Sequence, residues 1–166
     1  MSKTKHIVAF AAFLVIAFLP GIAGSAAVGG MRGFYAEIAR PAWSPPAWVF
    51  GPVWMVLYTM IGIAGYMSWR GLLRPGDHAL TPLGRAPDAF GLFVVQLLIN
   101  GLWTPVFFGL QSFLGGAIII VFLWLAIVGN VLLFWRIDSR AALLLVPYLA
   151  WVTFAGVLNG SIWRLN

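Results

Sequence analysis

The chain of 166 residues contains no cysteine. That removes disulfides, thiolate nucleophiles and cysteine-ligated metals together. Charge is nearly as scarce: Asp, Glu, Lys and Arg make up 8% of the residues, against about 25% in an ordinary soluble domain. The acidic residues are Glu37, Asp77, Asp88 and Asp138, and the only histidines are His6 and His78. This inventory offers no Ser-His-Asp set, no metal cluster and no carboxylate pair for acid–base work. No glycine-rich phosphate loop follows a strand either.

What the chain has is apolar surface. Hydrophobic residues account for 62% of it, with 9 Trp, 13 Phe and 4 Tyr, and the mean hydropathy is +0.97. A soluble domain of this size buries only about two thirds of its chain surface. The composition therefore excludes a soluble globular domain and a disordered chain, and points to lipid as solvent for a single domain spanning 1–166.

Charge-free runs place the spans, each needing about 20 residues. They lie at 7–28, within 41–69, across 89–135 and at 141–163. The run 89–135 would make a helix of about 70 Å, twice the roughly 30 Å of a bilayer core. It must be two spans, broken near Gly109-Leu110-Gln111-Ser112. The expected architecture is all-α and integral to a membrane: a five-transmembrane-helix bundle with spans near 7–28, 46–69, 90–109, 113–135 and 141–163. The first run, with Lys3 and Lys5 before it and Ala23 to Ala27 at its end, resembles a secretory signal, but it exceeds the usual core of about 7–15 residues and reads better as a retained helix.

The net charge of +6 falls in the gaps between spans. Lys3, Lys5, Arg70, Arg74, Arg85, Arg136 and Arg140 lie on one side; Arg32, Arg40 and Arg164 lie on the other. The positive-inside rule then puts the N-terminus in the cytoplasm for an inner-membrane protein; a bacterial outer membrane or an organelle membrane also fits the composition. No basic stripe with interleaved aromatics exists outside the apolar runs, so nucleic acid is not an expected partner.

No ionisable side chain lies inside a span, which argues against proton relays, ion-coupled transport and axial haem ligation by histidine. Polar atoms inside the spans are neutral. Gln96, Asn100, Trp103 and Phe107 share one helix face, as do Tyr148, Trp151, Ala155 and Asn159, and Trp54 with Tyr58. Trp48, Trp69, Trp135 and Trp163 lie near span ends, where an aromatic belt accounts for them. Trp54, Trp103, Trp124 and Trp151 are inset, and a buried indole wants a partner for its N–H that lipid tails cannot supply. These faces suggest a mostly aromatic small-molecule pocket. Interhelical hydrogen bonding as structural glue is the competing reading for the amides.

Pro20, Pro52, Pro105 and Pro147 fall inside spans, where each removes a backbone bond; kinks that open space, or the general frequency of proline in membrane helices, both explain them. The 29–46 loop is long for so small a bundle and carries Phe34, Tyr35 and Trp43, so it is a candidate lid or an interfacial segment. Arg32 and Arg40 stand at its mouth by position. Ser44-Pro45-Pro46 reads as an N-cap followed by proline in the first helical turn.

Three stretches resemble the translocator protein family, also called TspO/MBR, tryptophan-rich sensory or peripheral benzodiazepine receptor-like proteins. They are Tyr35-Ala36 with Arg40-Pro41-Ala42-Trp43-Ser44-Pro45-Pro46-Ala47-Trp48-Val49-Phe50-Gly51-Pro52-Val53-Trp54 and Leu57-Tyr58; Gln96 through Gly109; and Val146-Pro147-Tyr148-Leu149-Ala150-Trp151 through Leu158-Asn159 to Trp163-Arg164. The resemblance implies a five-helix bundle, usually a homodimer. It would act as a receptor or transporter-like protein for porphyrins of the protoporphyrin IX class, with isoquinoline- and benzodiazepine-type compounds and some sterols as further ligands. It carries the pocket onto Trp54, Asn100, Trp103, Trp135, Trp151, Ala155 and Leu158. With the shared faces, the ligand-binding set is Trp54, Tyr58, Gln96, Asn100, Trp103, Phe107, Trp135, Tyr148, Trp151, Ala155 and Leu158, covered by a lid with Arg32, Tyr35, Arg40 and Trp43. Porphyrin is expected as a ligand; no cofactor or metal is expected. The alternatives are light- and oxygen-driven porphyrin degradation through Trp54 and Trp151, or a structural accessory subunit of a membrane complex. Gly160 occupies the tyrosine position of the animal proteins' cholesterol motif, which argues against sterol binding through it.

Overall fold

Inside a bilayer, a backbone with no water to bond must satisfy itself, and an apolar run without strand alternation does so as a helix. The computed structural model, which describes residues 2–28, 34–73 and 86–166, is built on that solution. Its elements are α1 (Lys3–Val28), the short α2 (Phe34–Glu37), α3 (Ala47–Leu72), α4 (Ala86–Thr104), a π-helical turn (Pro105–Gly109), α5 (Phe113–Ile137) and α6 (Ser139–Leu165). Five of the helices are long and apolar enough to cross a membrane, with α4 and the π-turn counting as one span. The protein is an all-helical, multi-pass membrane protein. The helices run up to a turn beyond the charge-free runs, because Lys3, Lys5, Arg136 and Arg140 sit within helical segments and can reach water from there on long side chains.

Neighbouring helices close a ring in the order α1, α3, α6, α5, α4 and back to α1. Only 17–33% of each span's most apolar stretch is buried by protein. The remaining surface, including Val56, Leu98, Leu102, Phe122 and Leu132, is apolar and uncovered by this chain, as suits helices whose solvent is lipid. α1 and α3 approach each other closely at one glycine. A Cβ added at Gly62 would lie 3.0 Å from Leu14 Cα and 3.2 Å from the Phe13 carbonyl oxygen. Only glycine lets the two backbones meet there.

The expected break in the long apolar run falls at Leu110-Gln111-Ser112. Gln111 takes a positive φ of 51°, and Ser112 caps α5 by accepting from the Gly115 N–H at 3.1 Å. Pro20, Pro52 and Pro147 stay within continuous α-helices. Pro105 instead begins the π-turn, closed by Leu110 N–H donating to the Pro105 carbonyl at 2.9 Å. Asp138 alone separates α5 from α6 and caps the latter, accepting from the Arg140 N–H at 3.0 Å.

The cap expected at Ser44 is not formed. α3 starts at Ala47, with Pro46 in the cap position at φ −58° and ψ 145° and no side-chain cap bond. Ser44 lies upstream in a turn, its N–H donating to the Pro41 carbonyl at 2.9 Å. The reason is local: a residue preceding proline is pushed out of the α region, and two consecutive prolines hold both Ser44 and Pro45 extended.

Candidate functional site

The centre of the ring is polar. Tyr58 on α3 donates its hydroxyl to Asn100 Oδ1 on α4 at 2.8 Å. Asn100 Nδ2 donates to the Tyr148 hydroxyl on α6 at 3.0 Å. Tyr148 in turn donates to Gln96 Oε1 at 3.0 Å. All four side chains are buried. Helical spacing brings this about: Gln96 and Asn100 are one turn apart on α4, so both face the tyrosines across the ring. The string ties three spans together, and Gln96 Nε2 remains without a partner.

Aromatic rings surround the string. Trp54, one turn before Tyr58, stacks on it with centroids 5.1 Å apart and planes at 26°. The same indole meets Tyr148 edge-on at 6.1 Å. Trp151 packs against Phe154 at 5.3 Å and Phe50 at 5.9 Å, and its Nε1 is buried without an acceptor. Ala155 is half-buried against the same core.

A second cluster lies toward the loop. Phe107, Leu158 and Ile162 form its buried centre, with Trp103, Phe34, Tyr35, Ile38 and Phe50 packed on it. Trp103 stacks on Phe107 at 4.9 Å and donates Nε1 to Asn159 Oδ1 at 3.4 Å. Asn159 Nδ2 donates to the Phe113 carbonyl at 2.7 Å. The π-turn carries Phe107 and Phe108 into this cluster.

The described part of the loop covers this cluster. Phe34 stacks on Phe113 at 5.9 Å, Tyr35 meets Phe50 at 5.9 Å, and Trp43 meets Phe154 at 5.9 Å. Arg40 sets its guanidinium over the Tyr35 ring at 4.5 Å. Arg32 lies outside the described residues.

Most of the expected site thus converges. Trp54, Tyr58, Gln96, Asn100 and Tyr148 meet at the ring centre. Trp103, Phe107 and Leu158 meet below the loop, and Trp151 with Phe50 joins the two groups. Trp135 does not join them: it is 55% exposed, about 33 Å along α5 from Phe113 at 1.5 Å per residue. Trp124 turns partly outward, satisfying its indole by donating to Thr153 Oγ1 at 2.9 Å. Phe50 and Phe154 escaped the sequence reading, although each stands one helical turn from an inset tryptophan. Asn166 also escaped it. Its Oδ1 accepts from Ala39 N–H at 3.0 Å while its Nδ2 donates to Ala39 C=O at 2.9 Å.

Five apolar spans closed into a ring around neutral polar groups and a band of indoles define a membrane protein with receptor-like architecture. The TspO/MBR family pattern matches residues 9–164. The chain is 38% identical to Protein CrtK of Rhodobacter capsulatus over 157 residues, covering 95% of this chain and 92% of that protein. It is 41% identical to Tryptophan-rich protein TspO of Chlorobaculum tepidum over 133 residues, 80% of this chain and 79% of that one. Against the Translocator protein of Homo sapiens it is 36% identical over 137 residues, 82% and 76% of the two chains. The chain belongs to the TspO/MBR family.

Proposed function

We propose that this protein is a membrane receptor or transporter-like carrier that binds porphyrins of the protoporphyrin IX class, and related flat hydrophobic ligands, between its helices. The observation supporting the reading is the arrangement of Trp54, Tyr58, Tyr148 and Trp151. Indoles and phenols from α3 and α6 gather beside buried neutral donors, and Trp151 Nε1 has no acceptor of its own. A macrocycle gains by stacking on such rings, and its ring or carbonyl acceptors suit an unspent N–H. Neutral surroundings suit a ligand that is itself apolar over most of its area.

Titration with protoporphyrin IX, read by Soret absorbance and tryptophan quenching, tests this. Saturable binding is expected. Trp151→Phe and Trp54→Phe should each weaken it about tenfold, or ~1.4 kcal/mol, and Trp69→Phe should leave it unchanged. Unchanged affinity in both of the first two variants overturns the pocket.

A further inference from the structure

An open cleft of about 400 Å³ lies in the segment between α2 and α3, lined by Ile38, Arg40, Ser44 and the prolines Pro41, Pro45 and Pro46. Four features bear on what fits it. Arg40 is exposed and has no carboxylate partner among the described residues; its guanidinium is instead poised 4.5 Å above the Tyr35 ring. The Ser44 hydroxyl is buried with no hydrogen-bond partner. The cleft abuts the start of the 26-residue α3, which has neither a side-chain cap nor an acidic residue in its first turn, so the positive end of the helix is uncompensated there. The backbone beside Arg40 is held by the two-point clamp of Asn166 on Ala39, which spares a bound ligand the cost of ordering it.

We propose that this cleft is an oxyanion site that takes the phosphate of a lipid headgroup or the carboxylate of an amphiphile, with Arg40 as its principal donor and Ser44 as the second. The guanidinium fork suits either group, since both present paired oxygens. The depth is appropriate. Trp43 and Trp48, 50% and 74% exposed, flank the cleft in sequence, and exposed tryptophans at span ends sit at the headgroup level. An amphiphile anchored by its anion at this height would leave its tail along the lipid-facing helices. The cleft adjoins the expected lid, to which Arg40 belongs, but none of the ring-centre residues Trp54, Tyr58, Gln96, Asn100 and Tyr148 lines it.

The test uses the full chain in detergent, with bound amphiphiles counted by native mass spectrometry. The lipid arm compares dioleoyl phosphatidic acid with dioleoylglycerol, which has the same tails and no phosphate. The carboxylate arm compares dodecanoate with dodecanol. Wild type should retain the charged member of at least one pair fivefold or more over the neutral member. Arg40→Gln should abolish that preference, and Arg40→Lys should keep part of it. Preference confined to the first pair assigns the site to lipid phosphate, and confined to the second, to a carboxylate. If Arg40→Gln loses helical ellipticity, Ser44→Ala replaces it, with an expected twofold loss. Equal retention of charged and neutral probes by wild type, or a preference untouched by these substitutions, overturns the proposal. No probe contains a macrocycle, so failure here leaves the porphyrin reading standing, and the reverse also holds.

Discussion

The two ends of the bundle use the same aromatic residues for opposite purposes. At the end where α5 turns into α6, Phe93 and Phe134 stack at 6.0 Å and Phe13 meets Phe93 at 6.0 Å. A Cβ on Gly65 would lie 2.8 Å from both Phe13 and Phe93. Ala141 and Ala142 are fully buried, and Asn130 Nδ2 donates to the Ala89 carbonyl at 3.2 Å. That end is filled by small residues and interlocked rings. At the loop end, rings of a π-turn, a four-residue helix and an extended proline segment pack on rings of α3, α5 and α6, and the hydroxyls of Tyr35 and Ser44 and the indole N–H of Trp151 have no partners. Close packing at one end holds the helices together. The packed end also leaves the Ser68 hydroxyl and Asn130 Oδ1 without partners, but there they are enclosed among close-packed helices, whereas the loop end sets its unspent hydroxyls and indole N–H beside non-α backbone.

That contrast can be broken first at the close crossing of α1 and α3. Gly62→Leu forces a side chain into the Leu14 backbone, and overpacking of this kind costs about 3 kcal/mol; the thermal midpoint in detergent should fall, whatever ligand is present. Next comes the polar string that joins the two ends. Asn100→Ala leaves the Tyr58 hydroxyl without its acceptor and deprives Tyr148 of a donor, a loss of about 2 kcal/mol, read as a lower unfolding midpoint. Conversely, Trp151→Phe at the loop end removes an unpaired N–H while keeping an aromatic ring. Stability should fall by less than in Asn100→Ala, because lost ring contacts are partly offset by removal of the unpaired N–H, while ligand affinity falls about tenfold. The smallest effect belongs to Asn166→Ala. Loss of its two bonds to Ala39 is worth about 1 kcal/mol locally, and faster amide exchange over 34–46, with no change over 86–100, is the expected signature.

The five spans were legible because bilayer thickness imposes a length and the absence of charge marks it. The break at Leu110–Ser112 was legible for the same reason: a helix of about 70 Å does not fit the membrane. The shared faces of Gln96 with Asn100 and of Tyr148 with Trp151 followed from helical spacing, and the structure brings Gln96, Asn100 and Tyr148 into one hydrogen-bonded string. Boundaries were less legible. Charge ends an apolar run but not a helix, and the proline pair moved the start of α3 past Ser44. The partner of each amide was not legible either. Asn100 and Asn159 look alike in sequence, yet one bonds two phenols at the ring centre and the other receives an indole under the loop.

By itself the sequence determined the solvent, the number of spans, the neutrality of the interior and the inward faces of Trp54, Trp103 and Trp151, though not the partly outward turn of Trp124. Those depend on length, composition and local periodicity, which act within a few turns of one helix. Only the tertiary structure decided which faces meet. The ring order α1–α3–α6–α5–α4 places Tyr58 against Asn100 and Tyr148, and the fold brings Asn166 to Ala39 across 127 positions of chain. Such contacts arise from the packing of whole helices against one another, a choice made by shape and hydrogen-bond satisfaction over the entire bundle rather than by any segment alone.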